Sequence, residues 1–254
     1  MRGSAMSARS SPPKYLAISA DLRERCLKMP VGARLPSERW LAVDFGVSLM
    51  TVRQALAELA SAGWVERVAG SGTFVRRPRV EMGPSLTSFT EDMRRRNLRP
   101  SSRLISFERV ATDSDVAREL GVRPGDEVIT VERLRFADGE PMCHELAHLP
   151  LHLLSVLESA DLEGSLHEAL TAATTVLVSA TRKVRALPAP PRECRLLDLP
   201  VGSPALEITD TFYDTRNRPV QTARSRYRFD RYEVLSKLSR QPNNSRPRQQ
   251  PEEA

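Results

Sequence analysis

Cysteine is scarce in this sequence, and long apolar runs are absent. The 254 residues include three cysteines, Cys26, Cys143 and Cys194, which are odd in number and far apart. A disulfide framework needs paired cysteines, so we expect reduced thiols in the core. No run approaches the roughly 20 apolar residues of a membrane-spanning helix, and the chain does not open with a secretory signal pattern. These absences predict a cytoplasmic location and no membrane partner.

Most catalytic motifs are absent as well. The sequence has no nucleophile elbow, no phosphate-binding glycine-rich loop and no cysteine zinc pattern. One enzyme-like motif is present, because His144–His148 (HELAH) has the H-E-x-x-H spacing of zinc proteases and His152 lies four residues later. That chemistry needs both histidines on one helical turn, with the glutamate as general base.

The surroundings of this motif predict a strand and not a helix. The segment follows the turn signal Asp138-Gly139 and stops at Pro150, so we interpret it as the return arm of a β-hairpin. Positions i and i+4 of a strand lie roughly 13 Å apart, and zinc at about 2.1 Å from each nitrogen cannot bridge them. We therefore expect no metal, no cofactor and no enzymatic activity. A zinc hydrolase stays a remote alternative, which bound zinc in the purified protein would reveal.

The first third of the chain carries a net positive charge, whereas most of the rest is nearly neutral. Residues 14–79 contain 11 basic and 6 acidic side chains, whereas residues 80–239 contain 22 and 24, and the whole chain has a formal net charge of +6. The length suffices for two domains of ordinary size. A basic head on a nearly neutral body fits a DNA-binding domain joined to a sensor domain.

The order of local signals between residues 35 and 75 predicts a winged helix-turn-helix. Ser37 caps a first helix running to about Phe45, Gly46 supplies the turn, and Ser48 caps a second helix running to about residue 62. A hairpin wing with strands at 64–68 and 73–76 follows. An ordinary helical hairpin with a solvated basic face is the alternative, but it would not require this order of signals.

The second helix carries two kinds of side chain. Apolar residues recur at i, i+3, i+4 and i+7, which predicts one buried stripe made by Val52, Ala55, Leu56 and Leu59. Off that stripe, near the start of the helix, lie the side chains that a recognition helix presents to base edges. They are Leu49, Thr51, Arg53 and Gln54.

At these residues the chain resembles a known family. The motifs LPSER, FGVS, TVRQAL and GSGTFV resemble the DNA-binding head of the GntR family of bacterial repressors, over roughly residues 15–77. The family usually has arginine where this chain has Leu49, and leucine can make neither a bidentate guanine contact nor a phosphate contact. We therefore expect an operator of atypical sequence or affinity. The resemblance implies DNA contacts from Arg39, Thr51, Arg53 and Gly70.

The rest of the chain predicts an α+β domain on a mostly antiparallel sheet. We assign residues 14–77 to the head, 78–84 to a Pro-broken linker, 85–236 to the second domain and 240–254 to a disordered tail. In the second domain, strands are predicted at 103–110, 128–137, 143–149, 176–186, 205–214 and 220–229, and helices at 88–97, 114–120, 151–157, 165–172 and 191–197.

This second domain also resembles a known family. RLRFADGEPM, the E-x-A-H-L-P after it, GSLHEAL and RSRYRFDRYEV resemble the UTRA domain, the ligand-sensing half of the HutC subfamily of GntR regulators. The resemblance implies a chorismate-lyase-like sheet, and SLTSFTEDMRRRNLRP is most similar to regulators that answer to amino-sugar phosphates. It also implies effector contacts from Phe89, Thr90, Arg224 and Tyr227. His167 stands where tyrosine is common, at a further effector-binding position.

The residues themselves indicate an anion site. Arg133 and Arg135 share one strand face, and paired guanidiniums suit a phosphate or carboxylate. Ser88 and Ser165 each open a helix, whose N–H groups can bind an anion, and Glu145 offers an acceptor to a sugar hydroxyl or amine. Taken alone, the arginines could instead be a solvated strand face, and Ser88 could simply cap its helix. The resemblance favours the ligand site.

The sequence therefore predicts a ligand-responsive transcriptional regulator, a homodimer on a palindromic double-stranded operator. A metabolite in the second domain would change the spacing or mobility of two heads that must meet half-sites on one DNA face. The expected effector is glucosamine 6-phosphate or N-acetylglucosamine 6-phosphate. Alternatives are the same regulator with another metabolite, such as an organic acid, and a constitutive architectural DNA-binding protein.

Overall fold

Residues 13–238 are described by the structure, a computed structural model, and residues 1–12 and 239–254 are not. The tail predicted at 240–254 lies outside the described residues. The helices are α1 (Lys14–Leu27), α2 (Glu38–Asp44), α3 (Leu49–Ser61), α4 (Phe89–Arg95), α5 (Ser114–Leu120), α6 (Leu154–Glu158), α7 (Leu166–Ala172) and α8 (Pro191–Leu196), with a 3₁₀ turn at Leu151–Leu153. The strands are β1 (Val65–Val68), β2 (Gly72–Val75), β3 (Val80–Met82), β4 (Pro100–Ala111), β5 (Glu127–Ala137), β6 (Glu140–Pro150), β7 (Leu177–Pro188), β8 (Pro204–Asp214), β9 (Pro219–Arg228) and β10 (Tyr232–Val234).

The head consists of three helices and a wing. Both predicted caps are present, since Ser37 Oγ accepts from the N–H of Trp40 and Ser48 Oγ accepts from the N–H of Thr51, each at 3.2 Å. The predicted apolar stripe of α3 is buried. Helix α1 packs against this stripe, although the sequence analysis did not assign it. Its signal was present as an i, i+4, i+8 repeat of buried residues, namely Ile18, Leu22 and Cys26.

The wing is the predicted β1–β2 hairpin, extended by a third segment. Val65 pairs with Val75 across the antiparallel hairpin, and Leu35 donates its N–H to the Thr73 carbonyl at 2.8 Å. Gly72 suits this position because its φ is +125°, a backbone conformation that residues with a Cβ rarely adopt. The wing is therefore fixed against the segment that leads into α2.

The second domain is built on one antiparallel sheet, as predicted. Its strand order is β4-β5-β6-β9-β8-β7, and every neighbouring pair is antiparallel. The register places Arg133, Glu145 and Ser225 side by side on β5, β6 and β9. Strands β4 and β7 form the two edges of this sheet, and the side chains of β7 are mostly exposed.

The linker predicted at 78–84 contains regular structure that the sequence did not reveal. Its residues Val80–Met82 form β3, which pairs in parallel with Tyr232–Val234 near the end of the described chain. A three-residue strand has too few residues for a period-2 pattern, and its partner lies about 150 positions away. The segment leaving the head is thus tied to the second domain.

Head and second domain share one hydrophobic core. Leu22 and Trp64 of the head belong to the same buried cluster as Met93, Met142 and Tyr227 of the second domain. A separate cluster lies between the sheet and helices α6 and α7. In the described part of the chain, no helix combines the length and apolar character that crossing a membrane requires.

Candidate functional site

A cationic cleft of about 510 Å³ lies between the start of α3, the start of α2 and the wing. Arg39, Arg53 and Gly70 line it, as do Leu49 and Arg67. These residues come from three separate segments, so the helix-turn-helix and the wing together form the surface. A positively charged cleft at the start of an exposed helix is the arrangement that phosphate and major-groove contacts need.

One carboxylate orients two arginines in this cleft. Glu38 of α2 accepts from Arg53 Nε at 2.8 Å through Oε2 and from Arg67 Nη2 through Oε1. All three side chains are partly or largely exposed, so the ion pairs add little to stability. Their main effect is to hold both guanidiniums toward the cleft, where each keeps N–H groups that Glu38 does not use.

The two other DNA-contact candidates in the head differ in position. Gly70 is exposed in the wing turn with φ +74° and lines the cleft. Thr51 is half-buried, and its hydroxyl hydrogen-bonds to Ser48 Oγ at 2.9 Å. Thr51 is therefore part of the cap that begins α3, and the structure does not place it among the residues that line the cleft.

A cavity of about 400 Å³ lies between the sheet of the second domain and helices α4 and α7. Its volume is that of a typical small-molecule site. The structure brings eight of the ten predicted effector residues to its wall. They are Ser88, Phe89, Arg133, Arg135, Glu145, Ser165, His167 and Tyr227.

Arg133 and Glu145 form a buried ion pair in this wall. Arg133 Nε donates to Glu145 Oε1 at 3.0 Å and its Nη2 donates to the same oxygen, while its Nη1 donates to the carbonyls of Leu162 and Gly164. Burial alone would raise the pKa of Glu145, but the guanidiniums of Arg133 and Arg135 outweigh it and lower that pKa to about 2. Glu145 is thus an ionised acceptor, and Arg133 has one N–H left for a ligand.

Arg135 has more free donor capacity. Its Nη2 donates to Thr90 Oγ1 at 3.0 Å, and its guanidinium lies 4.7 Å from the centre of the Phe89 ring. Its Nε is buried and has no hydrogen-bond partner among residues 13–238. Thr90 lies behind Arg135 and outside the cavity wall, so its place in this site is to hold Arg135.

Ser88 and Ser165, which were predicted to open helices, are the N-cap residues of α4 and α7. Ser88 and Glu91 form a complete capping box, in which Ser88 Oγ accepts from the Glu91 N–H at 3.1 Å and the Glu91 carboxylate accepts from the Ser88 N–H at 2.8 Å. Ser165 Oγ accepts from the Glu168 N–H at 3.2 Å. The capping alternative for Ser88 is therefore the observed one, because Glu91 already occupies its N–H and hydroxyl.

The structure does not place Arg224, for which the resemblance implied an effector contact, in the cavity wall. Successive side chains of a strand point to opposite faces, and on β9 the cavity side is occupied by Gln221, Ala223, Ser225 and Tyr227. Arg224 is exposed on the other face of the sheet. Because side chains alternate along a strand, the sequence of β9 alone predicts that Arg224 and Tyr227 point to opposite faces of the sheet.

The HELAH segment lies on strand β6, as predicted. His144 Nε2 lies 2.7 Å from Glu132 Oε1, and His148 Nδ1 lies 3.0 Å from Thr130 Oγ1. Both histidines face away from the cavity that Glu145 lines. Among residues 13–238, no group of three or more His, Cys, Asp or Glu side chains has the arrangement of a metal site.

Two family profiles match the chain. The profile of bacterial regulatory proteins of the gntR family matches residues 14–75, and that of the UTRA domain matches residues 95–233. The transcriptional repressor NagR of Bacillus subtilis is 35% identical over 208 residues, or 81% of this chain and 86% of NagR. The chain belongs to the GntR family of bacterial regulatory proteins. It is a transcriptional regulator and not an enzyme.

Two further relatives cover nearly the whole of this GntR regulator. MngR of Escherichia coli, a repressor of the mannosyl-D-glycerate transport/metabolism system, is 31% identical over 225 residues, which is 87% of this chain and 93% of MngR. The crystal structure of PhnF from Mycobacterium smegmatis superimposes with a TM-score of 0.68 at 28% identity and covers 88% of this chain and 100% of PhnF. GntR heads bind DNA and UTRA domains bind small-molecule effectors; the cleft lies in the head and the cavity in the UTRA domain.

Part of the cavity wall of this GntR regulator comes from residues that the sequence did not predict as site residues. Gln221 lines the wall almost fully buried, and within the described part of the chain its Oε1 has no hydrogen-bond partner. Arg182 of β7 also lines it and pairs with Asp210 of β8 through Nη2 and Oδ2 at 2.7 Å. Gln221 lies on the same strand face as Tyr227, so strand alternation could have found it. The Arg182–Asp210 contact depends on sheet register.

The segment that leaves the head also touches the cavity. Glu81 and Met82 of β3 line the wall next to Tyr232 of β10. Nothing in the local sequence distinguishes these residues, because only the parallel pairing with β10 brings β3 to this position. A molecule in the cavity of the GntR regulator would therefore contact the chain close to its DNA-binding head.

The tip of the β5–β6 hairpin contacts the head directly. Asp138 accepts from Arg23 of α1, and Glu140 accepts from Arg77 Nε at 2.9 Å. Arg77 also donates to the Leu27 carbonyl at the end of α1 at 3.2 Å. Because the same two strands carry Arg133, Arg135 and Glu145 into the cavity, the hairpin links the cavity to the head.

Proposed function

We propose that this protein is a repressor of the HutC subfamily that binds a palindromic operator as a homodimer and answers to a phosphorylated amino sugar. Its head would contact DNA through Arg39, Arg53 and Gly70, with Thr51 at the helix start. The cationic cleft supports this assignment, since three separate segments supply arginines to one surface. A chromosomal target places the protein in the cytoplasm.

The free donor capacity of Arg135 is the observation that carries the effector proposal. A buried guanidinium with an unpartnered Nε beside the cavity calls for an anionic acceptor from a ligand. Glu145, ionised and within the same wall, would accept from the amine or a hydroxyl of the sugar. Glucosamine 6-phosphate and N-acetylglucosamine 6-phosphate supply an anion and several donors within a molecule suited to about 400 Å³.

A second candidate is an effector that carries a carboxylate in place of the phosphate. The relative MngR is named for mannosyl-D-glycerate, which joins a sugar to an organic acid. Arg135 can bind a carboxylate with the same bidentate geometry as a phosphate. This candidate shares the cavity and the DNA-binding mechanism, and it differs only in the anion.

Strand β7 supports the homodimer. It is a long sheet edge whose outer backbone groups have no strand partner within the described chain. Val178, Val184 and Leu187 are exposed along it. Exposed apolar edge strands invite pairing with another chain, and two copies joined here would place two heads on one molecule.

Calorimetric titration of the full chain tests the effector. We expect glucosamine 6-phosphate to bind at least tenfold more tightly than glucosamine. If the carboxylate candidate is correct, mannosyl-D-glycerate should bind instead of glucosamine 6-phosphate. Arg135→Gln should remove the preference for the anionic form. Equal affinity for phosphorylated and unphosphorylated sugar would reject the phosphate site, while gel shifts with the operator would test DNA binding separately.

A further inference from the structure

Leu49 occupies an unusual place for a leucine. It is the first residue of α3, it is 38% exposed, and it lines the same cleft as Arg39, Arg53 and Arg67. The buried stripe of α3 begins three residues later at Val52, so Leu49 lies at the edge of that stripe and faces the cleft. An apolar side chain is thus presented at the position from which a recognition helix contacts base edges.

The neighbours of Leu49 determine what it can meet there. Leu49 and Arg53 are four residues apart, so they are adjacent on the helix surface, and Arg53 is held by Glu38. Leu49 lines the same cleft as these arginines. When the arginines bind phosphates of the DNA backbone, base edges in the adjacent groove would therefore lie next to Leu49. A leucine offers no hydrogen bond, so it disfavours bases whose donors and acceptors it would cover, and it favours an apolar group.

Resting on the proposed DNA-binding function, we propose that Leu49 contacts the C5-methyl group of a thymine in each half-site of the operator. In the major groove, thymine is the only standard base that presents a methyl group. Leu49 is therefore a specificity-determining residue, and it selects an A·T pair at the position that it faces. Burial of one methyl group corresponds to an affinity change of about fourfold per half-site.

The test first selects binding sites from a random pool of duplex DNA with the full-length protein. Each thymine of the selected site is then replaced by deoxyuridine, which removes only the C5-methyl group. In each half-site, we expect replacement of one particular thymine to weaken binding of the unmodified protein about fourfold. The same replacement should have no effect on Leu49→Ala. Replacing that thymine by 5-methylcytosine, paired with guanine, should bind more tightly than unmethylated cytosine.

Met50 provides the matched control, because it is the next residue of α3 and is 68% exposed. Met50→Ala should retain the sensitivity to deoxyuridine. Loss of that sensitivity in Met50→Ala, but not in Leu49→Ala, would overturn the assignment of the methyl contact to Leu49. Leu49→Arg should move the preferred base at this position from thymine to guanine, because arginine donates to O6 and N7 of guanine.

The possible failures are distinguishable. If the unmodified protein binds a selected DNA site and no deoxyuridine replacement weakens binding, the thymine contact is wrong and the DNA-binding function stands. If no DNA sequence is enriched and no duplex is bound, both are wrong. The measurement on the unmodified protein needs no variant, so the folding of Leu49→Ala cannot obscure the result.

Discussion

Arg133 binds Glu145 across neighbouring strands, with Arg133 Nε 3.0 Å from Glu145 Oε1 and both side chains buried in the cavity wall. The same guanidinium binds the carbonyls of Leu162 and Gly164, just before α7. This arginine therefore joins the sheet to the loop that positions Ser165. Its first role is structural, and Arg135 is the better candidate for the anion.

Replacing Arg133 should destabilise the protein. Arg133→Ala leaves Glu145 buried without its main partner, and breaking a buried pair in this way costs about 3–5 kcal/mol. We expect the urea midpoint to fall accordingly. Arg224→Ala is the matched control, because Arg224 is exposed on the opposite face of the same sheet and should change stability by no more than about 0.5 kcal/mol. Equal midpoints for both variants would contradict this role of Arg133.

The Glu145 ion pair should make stability depend on acid pH. The folded pKa of Glu145 is about 2, below its ordinary value of 4.5, so the contribution of this group is fully present above pH 4.5. It is lost as the pH falls from about 4.5 toward 2. The stability difference between the unmodified protein and Glu145→Gln should shrink over that range. Glu158→Gln, at an exposed position, is the control for replacing a carboxylate by an amide.

Gln221 should affect ligand binding more than folding. Its Oε1 is buried and no described residue hydrogen-bonds to it, so replacing Gln221 by leucine removes an unsatisfied acceptor and should leave the unfolding free energy unchanged or raised. Effector affinity should fall by about 1–3 kcal/mol, since a ligand donor loses its acceptor. Calorimetry and urea denaturation on one preparation separate the two effects. Reduced stability with unchanged affinity would show that Gln221 is a packing residue.

Arg53 should contribute to operator affinity and not to the fold. Its side chain is about half exposed and pairs with Glu38 at the surface, so Arg53→Ala should keep the melting temperature. Loss of one base or phosphate contact should weaken operator binding by about 1–3 kcal/mol. Arg216→Ala, an exposed change between β8 and β9 of the second domain, controls for the loss of one positive charge. Comparable gel-shift affinities for the two variants would place Arg53 outside the DNA interface.

The contact between Asp138 and the head should couple the two sites. Asp138 accepts from Arg23 and from the Arg99 N–H, and its φ of +50° is one that asparagine also adopts. Asp138→Asn should therefore retain the hairpin and the effector affinity while weakening the link to Arg23. In Asp138→Asn, adding effector should change operator affinity less than it does in the unmodified protein. An unchanged effector response in gel shifts would mean that the hairpin tip does not transmit binding.

The sequence alone determined the local architecture of the head and of most sheet elements. Capping serines, the Gly46 turn, the apolar stripe of α3 and the Asp138-Gly139 hairpin act between residues a few positions apart. These interactions join residues within one short segment, so periodicity and turn chemistry suffice to predict them. On β9, the alternation of side chains between the two sheet faces separates Arg224 from Gln221, and this too is a local property of the sequence.

Only the tertiary structure decided how the site is assembled. The position of β3 in the cavity wall depends on its pairing with β10, about 150 residues away. The partners of Arg133 depend on strand register and on a loop near residue 163, which determine whether a guanidinium is free or already bound. Such contacts join residues that are distant in sequence, and their free energies depend on burial that no local pattern records.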